Sequence, residues 1–392
     1  VQCVYESMEL PVQMYDYTSY SAGEKEVAIQ SFLEKDKQTN FDFEKEPLFR
    51  ITLFKVDSDT VRMVFTNHHI LWDGWSFAKL MSNFIEVYQQ MVNGTELTVL
   101  STDNYRSHID YINSQNRTEG LAYWGGYLSG IEQATYLPFT GNVSERNKTF
   151  GNSERTLLIS KEVSNQINSF AEQNHITTST VLQGTWSYLL SKYTGISAVT
   201  FGATISGRNS DVEGIADKVG LYINTIPVCS HIESQANIVD WLQELQRGHT
   251  IGREDHGYLS LLEIEKQSVV SSPCFDTLMV FENYPIENLD STSFDLTIKN
   301  IESKENTKYT LSLCVFDTEQ GISIKVTYNN TILPDDVVVM IEKHIYQLLS
   351  SITSGVKTLG ELTYLGKEEK EELLTLFNLS LIHISEPTRP DE

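Results

Sequence analysis

Two adjacent histidines and an aspartate stand close together in an otherwise apolar part of the chain. They are His68, His69 and Asp73, within the stretch FTNHHILWDGWS at residues 65–76. An imidazole with an ordinary pKa near ~6.5 can accept a proton at neutral pH, and a nearby carboxylate can orient a ring or hold a loop. Acid–base catalysis is therefore one interpretation of this stretch.

Two other interpretations of the same stretch are structural support and metal binding. In the first, one histidine is satisfied in the core and Asp73 caps the following helix. Against the second, neighbouring residues of a strand point to opposite faces, so His68 and His69 are poorly placed to share an ion. The chain also has no HExxH or His-x-His pattern. No metal is expected, and the structural interpretation stays open.

The chain lacks the other parts that most histidine-dependent enzymes need. It has no G-x-S-x-G nucleophile elbow, no phosphate loop, no G-x-G-x-x-G and no cysteine that could serve as a partner. A histidine that works without an enzyme nucleophile suits direct acyl transfer, in which the amine or hydroxyl of the substrate attacks a thioester. The pattern thus favours acyl transfer over hydrolysis.

Composition limits the partners of the chain. Its 392 residues include 29 Lys and Arg against 53 Asp and Glu, which gives a formal net charge of −24. Such an acidic surface repels phosphate backbones, so no nucleic acid is expected as a partner. No apolar run approaches a membrane span and no signal peptide opens the chain, so no membrane is expected either. The cysteines have no CxxC spacing, which indicates reduced thiols and a cytoplasmic location.

A strand-to-helix connection must position the histidines. Residues 50–56 and 60–66 alternate and are rich in β-formers, which predicts a hairpin whose second strand runs into His68. Apolar residues at helical spacing then predict a helix within residues 76–94. Connections of this kind commonly carry catalytic groups on a rigid scaffold.

Beyond a polar stretch at residues 140–153 the pattern starts afresh, so two α/β lobes are expected on either side of residue 140. The second lobe alternates helical and strand patterns. Helices are predicted at 161–175, 178–195, 237–248 and 335–355, and strands at 154–160, 198–207, 276–283, 309–317 and 321–328.

The histidine stretch resembles the HHxxxDG signature of the condensation domains of nonribosomal peptide synthetases, which belong to the chloramphenicol-acetyltransferase-like acyltransferases. Epimerisation, cyclisation and starter domains carry variants of this motif, but further matches follow in the family's order. They are Tyr105 to Ile112, Tyr123-Trp124 with Tyr127 to Gly130, Ser206-Gly207-Arg208, Val219 to Pro227, Phe275 to Thr277 with Val280 to Pro285, and Leu362 to Asn378.

Some positions depart from the family pattern. An early Arg-His-Glu-x-Leu-Arg motif is expected before Val1, and Cys229 stands where many relatives have arginine. Residues 253–258 only loosely match the family's His-Gln-Asp motif. Residues 379–392 resemble a translated sequencing adapter, with a short natural tail as the alternative, and are expected to be no part of the fold.

The resemblance implies an α/β fold of two chloramphenicol-acetyltransferase-like lobes that form a V-shaped pseudo-dimer with a central tunnel. Residues 1–140 are expected to form the N-terminal lobe, incomplete at its start, and residues 141–361 the C-terminal lobe. Residues 362–378 would then be a linker toward an adenylation domain.

The resemblance also implies a reaction, the formation of a peptide bond between two carrier-bound thioesters. An upstream donor and a downstream acceptor peptidyl carrier domain would deliver the substrates on 4'-phosphopantetheine arms, and no cofactor is bound directly. The sequences Asp-Gly-Trp-Ser and Asn-Thr-Ile-Pro resemble the class that joins an L-donor to an L-acceptor. A free-standing acyltransferase using a coenzyme A thioester and an inactive carrier-binding domain stay open as alternatives.

The resemblance assigns roles within the motif. His69 is expected to accept a proton from the attacking α-amine, or to hydrogen-bond and position it. His68 and Asp73 are expected to support the motif. Asp73 is expected to hold the loop through an arginine, with Arg208 as the first candidate and Arg50 as the second.

The remaining candidates concern the surroundings of His69. Gly74 is expected to permit a tight turn or the close approach of a pantetheine arm. Asn224, Trp75 and Ser76 are expected near the substrate, although a core position for the tryptophan and structural support by the asparagine are alternatives. Five histidines without a motif are expected to be surface or satisfied residues: His108, His175, His249, His256 and His344.

Overall fold

The structure, a computed structural model, describes most of the chain. The described residues are 8–44, 47–97, 105–140, 151–208, 212–270, 272–282, 296, 298–302 and 307–382. Cys3, the family-like residues Asn283 to Pro285 and most of the adapter-like tail lie outside them. Contacts divide the chain into two compact units, Val1–Tyr105 with Asp217–Tyr222, and Arg106–Ala216 with Ile223–Glu392.

The first unit contains a three-stranded sheet in the order β1-β2-β3. Strand β1 runs parallel to β2, and β2 pairs with β3 in antiparallel fashion with Arg50 opposite Thr66. The predicted hairpin and the helix after it are confirmed, whereas β1 and α1 were not predicted. The elements are β1 (Val12–Asp16), α1 (Ala22–Lys37), β2 (Phe49–Lys55), β3 (Val61–Asn67) and α2 (Gly74–Val92).

Local sequence explains where these elements begin. A capping box starts α1, in which the Ser21 hydroxyl and the Glu24 carboxylate each bond the other's backbone. Asp73 is the N-cap residue of α2, as Ser21 is of α1. Phe54 of β2 is fully buried and lies against the rings of Tyr15 and Phe32. These contacts hold the hairpin that ends beside the two histidines.

The second unit is built on a six-stranded mixed sheet in the order β4-β9-β8-β7-β5-β6. Strand β7 is parallel to both β5 and β8, and the other pairs are antiparallel. The elements are α3 (Tyr105–Ser114), α4 (Arg117–Tyr127), β4 (Asn152–Leu158), α5 (Lys161–Gln173), α6 (Thr178–Thr194), β5 (Ala198–Ile205), β6 (Asn224–His231), α7 (Ile238–Glu254), α8 (Leu261–Glu265), β7 (Thr277–Phe281), β8 (Leu311–Thr318), β9 (Gly321–Asn329), α9 (Asp335–Ile352) and α10 (Lys367–Ile382).

The core of the second unit forms where α6 and α9 pack on the sheet. Trp186 is 1% exposed and donates a hydrogen bond from Nε1 to Thr277 Oγ1 at 3.1 Å. Residues 106–140, expected in the first lobe, group with this unit, since Trp124 shares a cluster with Ile205 and Leu259. The predicted helices and strands of this region are confirmed, and the lobe boundary at residue 140 stays a prediction.

Two further properties concern the cysteines and membranes. Cys229 and Cys274 are buried free thiols and Cys314 is a half-buried one, as expected. Burial raises the pKa of the Cys229 thiol to about 12, so this thiol is unreactive at neutral pH. Within the described ranges, no helix combines the length and the apolar character that crossing a membrane requires.

Gly202 offers a direct test of packing in the second unit. A Cβ atom at this position would lie 2.5 Å from Cε2 of Phe275 and 3.0 Å from Cδ1 of Leu278. We expect Gly202→Ala to lower the free energy of unfolding by about 1–3 kcal/mol, because the buried sheet must shift. Gly126→Ala, in α4 with no atom within 4 Å, should be neutral or stabilising by up to about 1 kcal/mol. Equal denaturation midpoints for the two variants would contradict this account.

Candidate active site

The histidines lie in a tight turn that directly follows β3. The backbone N–H of His68 donates to Leu48 O at 2.8 Å, and Leu71 N–H donates back to His68 O at 3.2 Å. The strand itself ends at Asn67. The predicted strand-to-helix connection is therefore confirmed, with the histidines between β3 and α2. The argument against metal binding treated the pair as strand residues, and this is wrong, because β3 ends at Asn67.

His68 stabilises this turn with its own side chain. Its Nδ1 accepts a hydrogen bond from the backbone N–H of Ile70 at 3.1 Å, and its ring meets the Phe43 ring edge-on at 4.9 Å between centroids. The imidazole is half-buried. A ring nitrogen that accepts from the backbone stabilises the loop, and the supporting role of His68 in the reaction stays a prediction.

His69 occupies the exposed corner of the same turn. No residue within the described ranges hydrogen-bonds to its ring. Its imidazole thus differs from that of His68, whose Nδ1 is engaged by the loop backbone. An exposed imidazole on a fixed turn can meet a substrate and exchange a proton with it.

Asp73 is almost completely buried, with 1% of its surface exposed. Its Oδ1 accepts from Ser76 N–H at 2.8 Å and caps α2. Its Oδ2 accepts from Tyr222 N–H at 3.0 Å, and its own N–H donates to Gly220 O at 3.2 Å. The capping role considered for Asp73 is confirmed, and the carboxylate also binds a backbone segment far along the chain.

Ser76 binds the same segment from the first turn of α2. Its Oγ donates to Gly220 O at 2.8 Å and accepts from Gly220 N–H at 3.0 Å. The side chain is fully buried. Ser76 therefore holds backbone in this structure, and its contact with a substrate stays a prediction.

Tyr105 also binds the segment 217–222. Its hydroxyl donates to Leu221 O at 2.6 Å, and a Cβ atom on Gly220 would lie 2.5 Å from the Tyr105 ring. Burial, and next the charge of Asp73, raise the pKa of the Tyr105 phenol, so it remains a donor. Sequence reasoning missed this role, although Tyr105 and Gly220 both stand in family-like motifs.

The two arginines proposed for Asp73 lie in different surroundings. Arg50 binds Asp36 through Nε, and its Nη2 donates to Asp36 O at 2.8 Å. The structure thus assigns Arg50 to Asp36, whose other oxygen accepts from Thr66 Oγ1 at 2.6 Å. Arg208 is buried in the second unit and donates from Nη1 to Ile215 O at 2.6 Å. Its pairing with Asp73 stays a prediction.

Among the substrate-proximal candidates, Asn224 has a clear structural engagement. Its Nδ2 donates to Gly257 O at 2.9 Å and to Leu259 O at 2.6 Å, and its Oδ1 accepts from Thr225 N–H at 2.8 Å. The amide therefore ties the start of β6 to the loop before α8. This geometry favours the supporting alternative for Asn224.

Trp72, Trp75 and Gly74 complete the motif. Trp72 packs against the stacked rings of Phe49 and Phe65, at 5.8 and 5.9 Å between centroids. Trp75 is half-buried in the first turn of α2, which Gly74 begins. Trp72 thus contributes to the aromatic packing behind the turn.

The histidines without a motif fall into several environments. His175 is exposed, and His344 is buried but bonded on both nitrogens. His249 and His256 were expected to be surface or satisfied, and this is wrong. Nε2 of His249 and Nδ1 of His256 are buried without a hydrogen-bond partner among the described residues. Burial, with Arg253 as the second cause, lowers the pKa of His249 to about 4. In the described part of the chain, no group of three or more His, Cys, Asp or Glu side chains could hold a metal ion.

Known proteins are similar to this chain in sequence. The sequence model of the family described as "Condensation domain" matches residues 1–374. The chain is 30% identical over 382 residues to bacitracin synthase 3 of Bacillus licheniformis, a match that covers 96% of this chain and 6% of that protein. It is 30% identical over 381 residues to tyrocidine synthase 2 of Brevibacillus parabrevis, covering 95% of this chain and 10% of that protein.

A solved structure shows the same fold. The crystal structure of a four-domain nonribosomal peptide synthetase bound to AMP and glycine superposes with a TM-score of 0.74 at 15% identity, over 93% of this chain and 29% of that chain. The predicted α/β fold class is confirmed by this match. The chain spans no more than a tenth of the length of the two curated relatives.

The paired hydrogen bonds of Ser76 give a test of the loop support. Ser76→Ala leaves the buried Gly220 N–H without its acceptor, so we expect the free energy of unfolding to fall by about 1–3 kcal/mol. The matched control is Ser82→Ala, an exposed serine on the same helix, which should stay within about 0.5 kcal/mol of wild type. Chemical denaturation followed by tryptophan fluorescence measures both, and equal stabilities would refute the supporting role.

Proposed function

Because the chain belongs to the condensation-domain family, we propose that it forms the amide bond between two carrier-bound substrates in nonribosomal peptide synthesis. The donor is an acyl or peptidyl thioester and the acceptor an aminoacyl thioester. The observation that carries this proposal is the exposed His69 on a turn fixed by Asp73. That arrangement leaves one imidazole available while its surroundings are held rigid.

The proposed reaction is an attack by the acceptor's α-amine on the donor's thioester carbonyl. A C–N bond forms and the C–S bond breaks, so the donor arm leaves as a thiol after taking up a proton. The amine loses a proton when the amide forms. His69 either accepts that proton or hydrogen-bonds the amine and positions it for attack.

The loop support explains how His69 could act without large rearrangement. His68 fixes the turn from within, through its bond to Ile70 N–H. Asp73 and Ser76 fix its far end against the segment 217–222. Holding a catalytic group in place while two tethered substrates approach can supply much of a rate enhancement.

The partners follow from the proposed reaction. Two thioester substrates imply an upstream donor carrier domain and a downstream acceptor carrier domain, each with a 4'-phosphopantetheine arm. An adenylation domain would follow the segment 362–378. The match to a four-domain nonribosomal peptide synthetase bound to AMP and glycine supports this setting.

Replacement of His69 tests the catalytic assignment. With both carriers loaded, His69→Ala should lower the rate of dipeptidyl thioester formation at least about a hundredfold, the range of a lost general base or positioning group. Intact-mass measurement of the acceptor carrier follows the product. Retention of rate by His69→Gln together with loss in His69→Ala would favour positioning over proton transfer.

The control replaces His231, an exposed histidine at the end of β6. His231→Ala should form product at the wild-type rate. Wild-type product formation by His69→Ala would overturn the assignment. Product from a soluble acyl-coenzyme A donor, with none from carrier-bound donors, would support a free-standing acyltransferase, and no product from either would support an inactive carrier-binding domain.

The stereochemical class is a second point that experiment can decide. The residues Asp73 to Ser76 and Asn224 to Pro227 resemble the class that joins an L-donor to an L-acceptor. We therefore expect product from a donor loaded with an L-residue and at least about tenfold less from its D-epimer, a difference of about 1.4 kcal/mol in transition-state binding. Equal rates for both epimers, or preference for the D-donor, would contradict this class.

A further inference from the structure

The segment between α9 and α10 is bound closely to the second unit. Gly360 N–H donates to Ser234 O at 2.8 Å, and the Tyr188 hydroxyl donates to Leu359 O at 3.1 Å. Thr363 N–H donates to Ser351 Oγ at 3.0 Å. Leu359 itself is fully buried. We refer to residues 357–369, which include the first turn of α10, as the connector. These contacts fix its first half on the helices and loops of the unit.

The second half of the connector ends in a chain of three polar side chains, of which His344 is buried and Tyr193 and Glu369 are partly exposed. The Tyr193 hydroxyl on α6 lies 2.8 Å from Nδ1 of His344 on α9. Nε2 of His344 lies 3.0 and 3.1 Å from the two carboxylate oxygens of Glu369, in the first turn of α10. His344 is only 3% exposed. We refer to these three residues as the relay.

The direction of the hydrogen bonds in the relay follows from the state of the phenol. Burial is the main cause that raises the pKa of Tyr193, and the negative charge of Glu369 adds to it. The phenol therefore keeps its proton and can donate it to a ring nitrogen. The Glu369 carboxylate can only accept, so Nε2 of His344 carries the proton that joins the two side chains. A neutral imidazole with its proton on Nε2 accepts at Nδ1, where the Tyr193 hydroxyl donates. Each buried polar atom of the relay thus has a partner.

The relay is suited to holding the chain together rather than to catalysis. A tyrosine, a histidine and a carboxylate in a row could serve a nucleophile, but a phenol whose pKa is raised does not supply a phenolate at neutral pH. The Tyr193 ring packs edge-on against Phe139 at 5.1 Å. The Tyr364 ring of the connector covers His344 edge-on, also at 5.1 Å. These rings enclose the relay from two sides.

We infer that the face formed by α6 and α9 is the docking surface for the connector and that the relay locks the start of α10 onto it. A buried N–H on His344 is costly to leave without an acceptor, so Glu369 is held in one place. Helix α10 therefore leaves the second unit in one fixed direction. The connector therefore holds the start of α10 in a fixed orientation and does not act as a flexible linker.

Replacement of Glu369 tests the lock, because this residue is partly exposed and its loss leaves the core residues in place. In Glu369→Ala, the amides of residues 367–375 should exchange with deuterium roughly tenfold faster, as expected when one charge-assisted, partly buried hydrogen bond is lost. Glu369→Gln keeps an oxygen that accepts from Nε2 and should restore most of the protection. Hydrogen–deuterium exchange of the whole chain, read by mass spectrometry, measures both.

The matched control lies on the same helix as His344. Glu342 of α9 pairs with Arg155 of β4 and takes no part in the relay, so Glu342→Gln should leave exchange in α10 unchanged. Wild-type exchange of α10 in Glu369→Ala would overturn the inference. Equal acceleration across β8 and β9 would overturn it as well, because the relay would then support the whole unit. The measurement needs no substrate, so its outcome is independent of the proposed condensation activity.

Discussion

The carboxylate of Asp73 joins two stretches of chain that lie far apart in sequence. A carboxylate with 1% exposure is costly unless its oxygens accept hydrogen bonds. One oxygen receives the N–H of Ser76 and the other the N–H of Tyr222. Because both donors are backbone groups, the buried charge is compatible only with one placement of the segment 217–222 against the start of α2. The position of the histidine turn follows from that placement.

This constraint explains why the residues of the motif have different roles. Asp73 and Ser76 are buried and bind backbone, and His68 bonds the backbone of its own turn. His69 is exposed on a turn that its neighbours hold. Tyr105 completes the support from the opposite side of Gly220, where any side chain would collide with its ring. The glycine is thus required by close packing, not by an unusual backbone conformation.

Periodicity and capping patterns were sufficient to predict the hairpin, α2 and most elements of the second unit. Strand β1 was missed because it has only five residues, VQMYD, too few to establish a strand pattern. Helix α1 has few apolar residues, although Ser21 and Glu24 form a capping box that could have been recognised. The hydroxyl of Ser76 and the phenol of Tyr105 bind residues more than a hundred positions away. Such long-range bonds leave no local pattern in a single sequence.

The surroundings of each histidine, rather than its residue type, decide whether it can exchange a proton with a substrate or only supports the structure. His344 is enclosed by aromatic rings and bonded at both nitrogens, so it has no free site for a substrate proton. Nε2 of His249 is buried, and burial lowers the pKa of this histidine to about 4, so it stays neutral at neutral pH and cannot cycle between protonation states. His68 is engaged by the backbone of Ile70. His69 combines solvent exposure with a fixed backbone, which are the two conditions that proton exchange with an incoming amine requires.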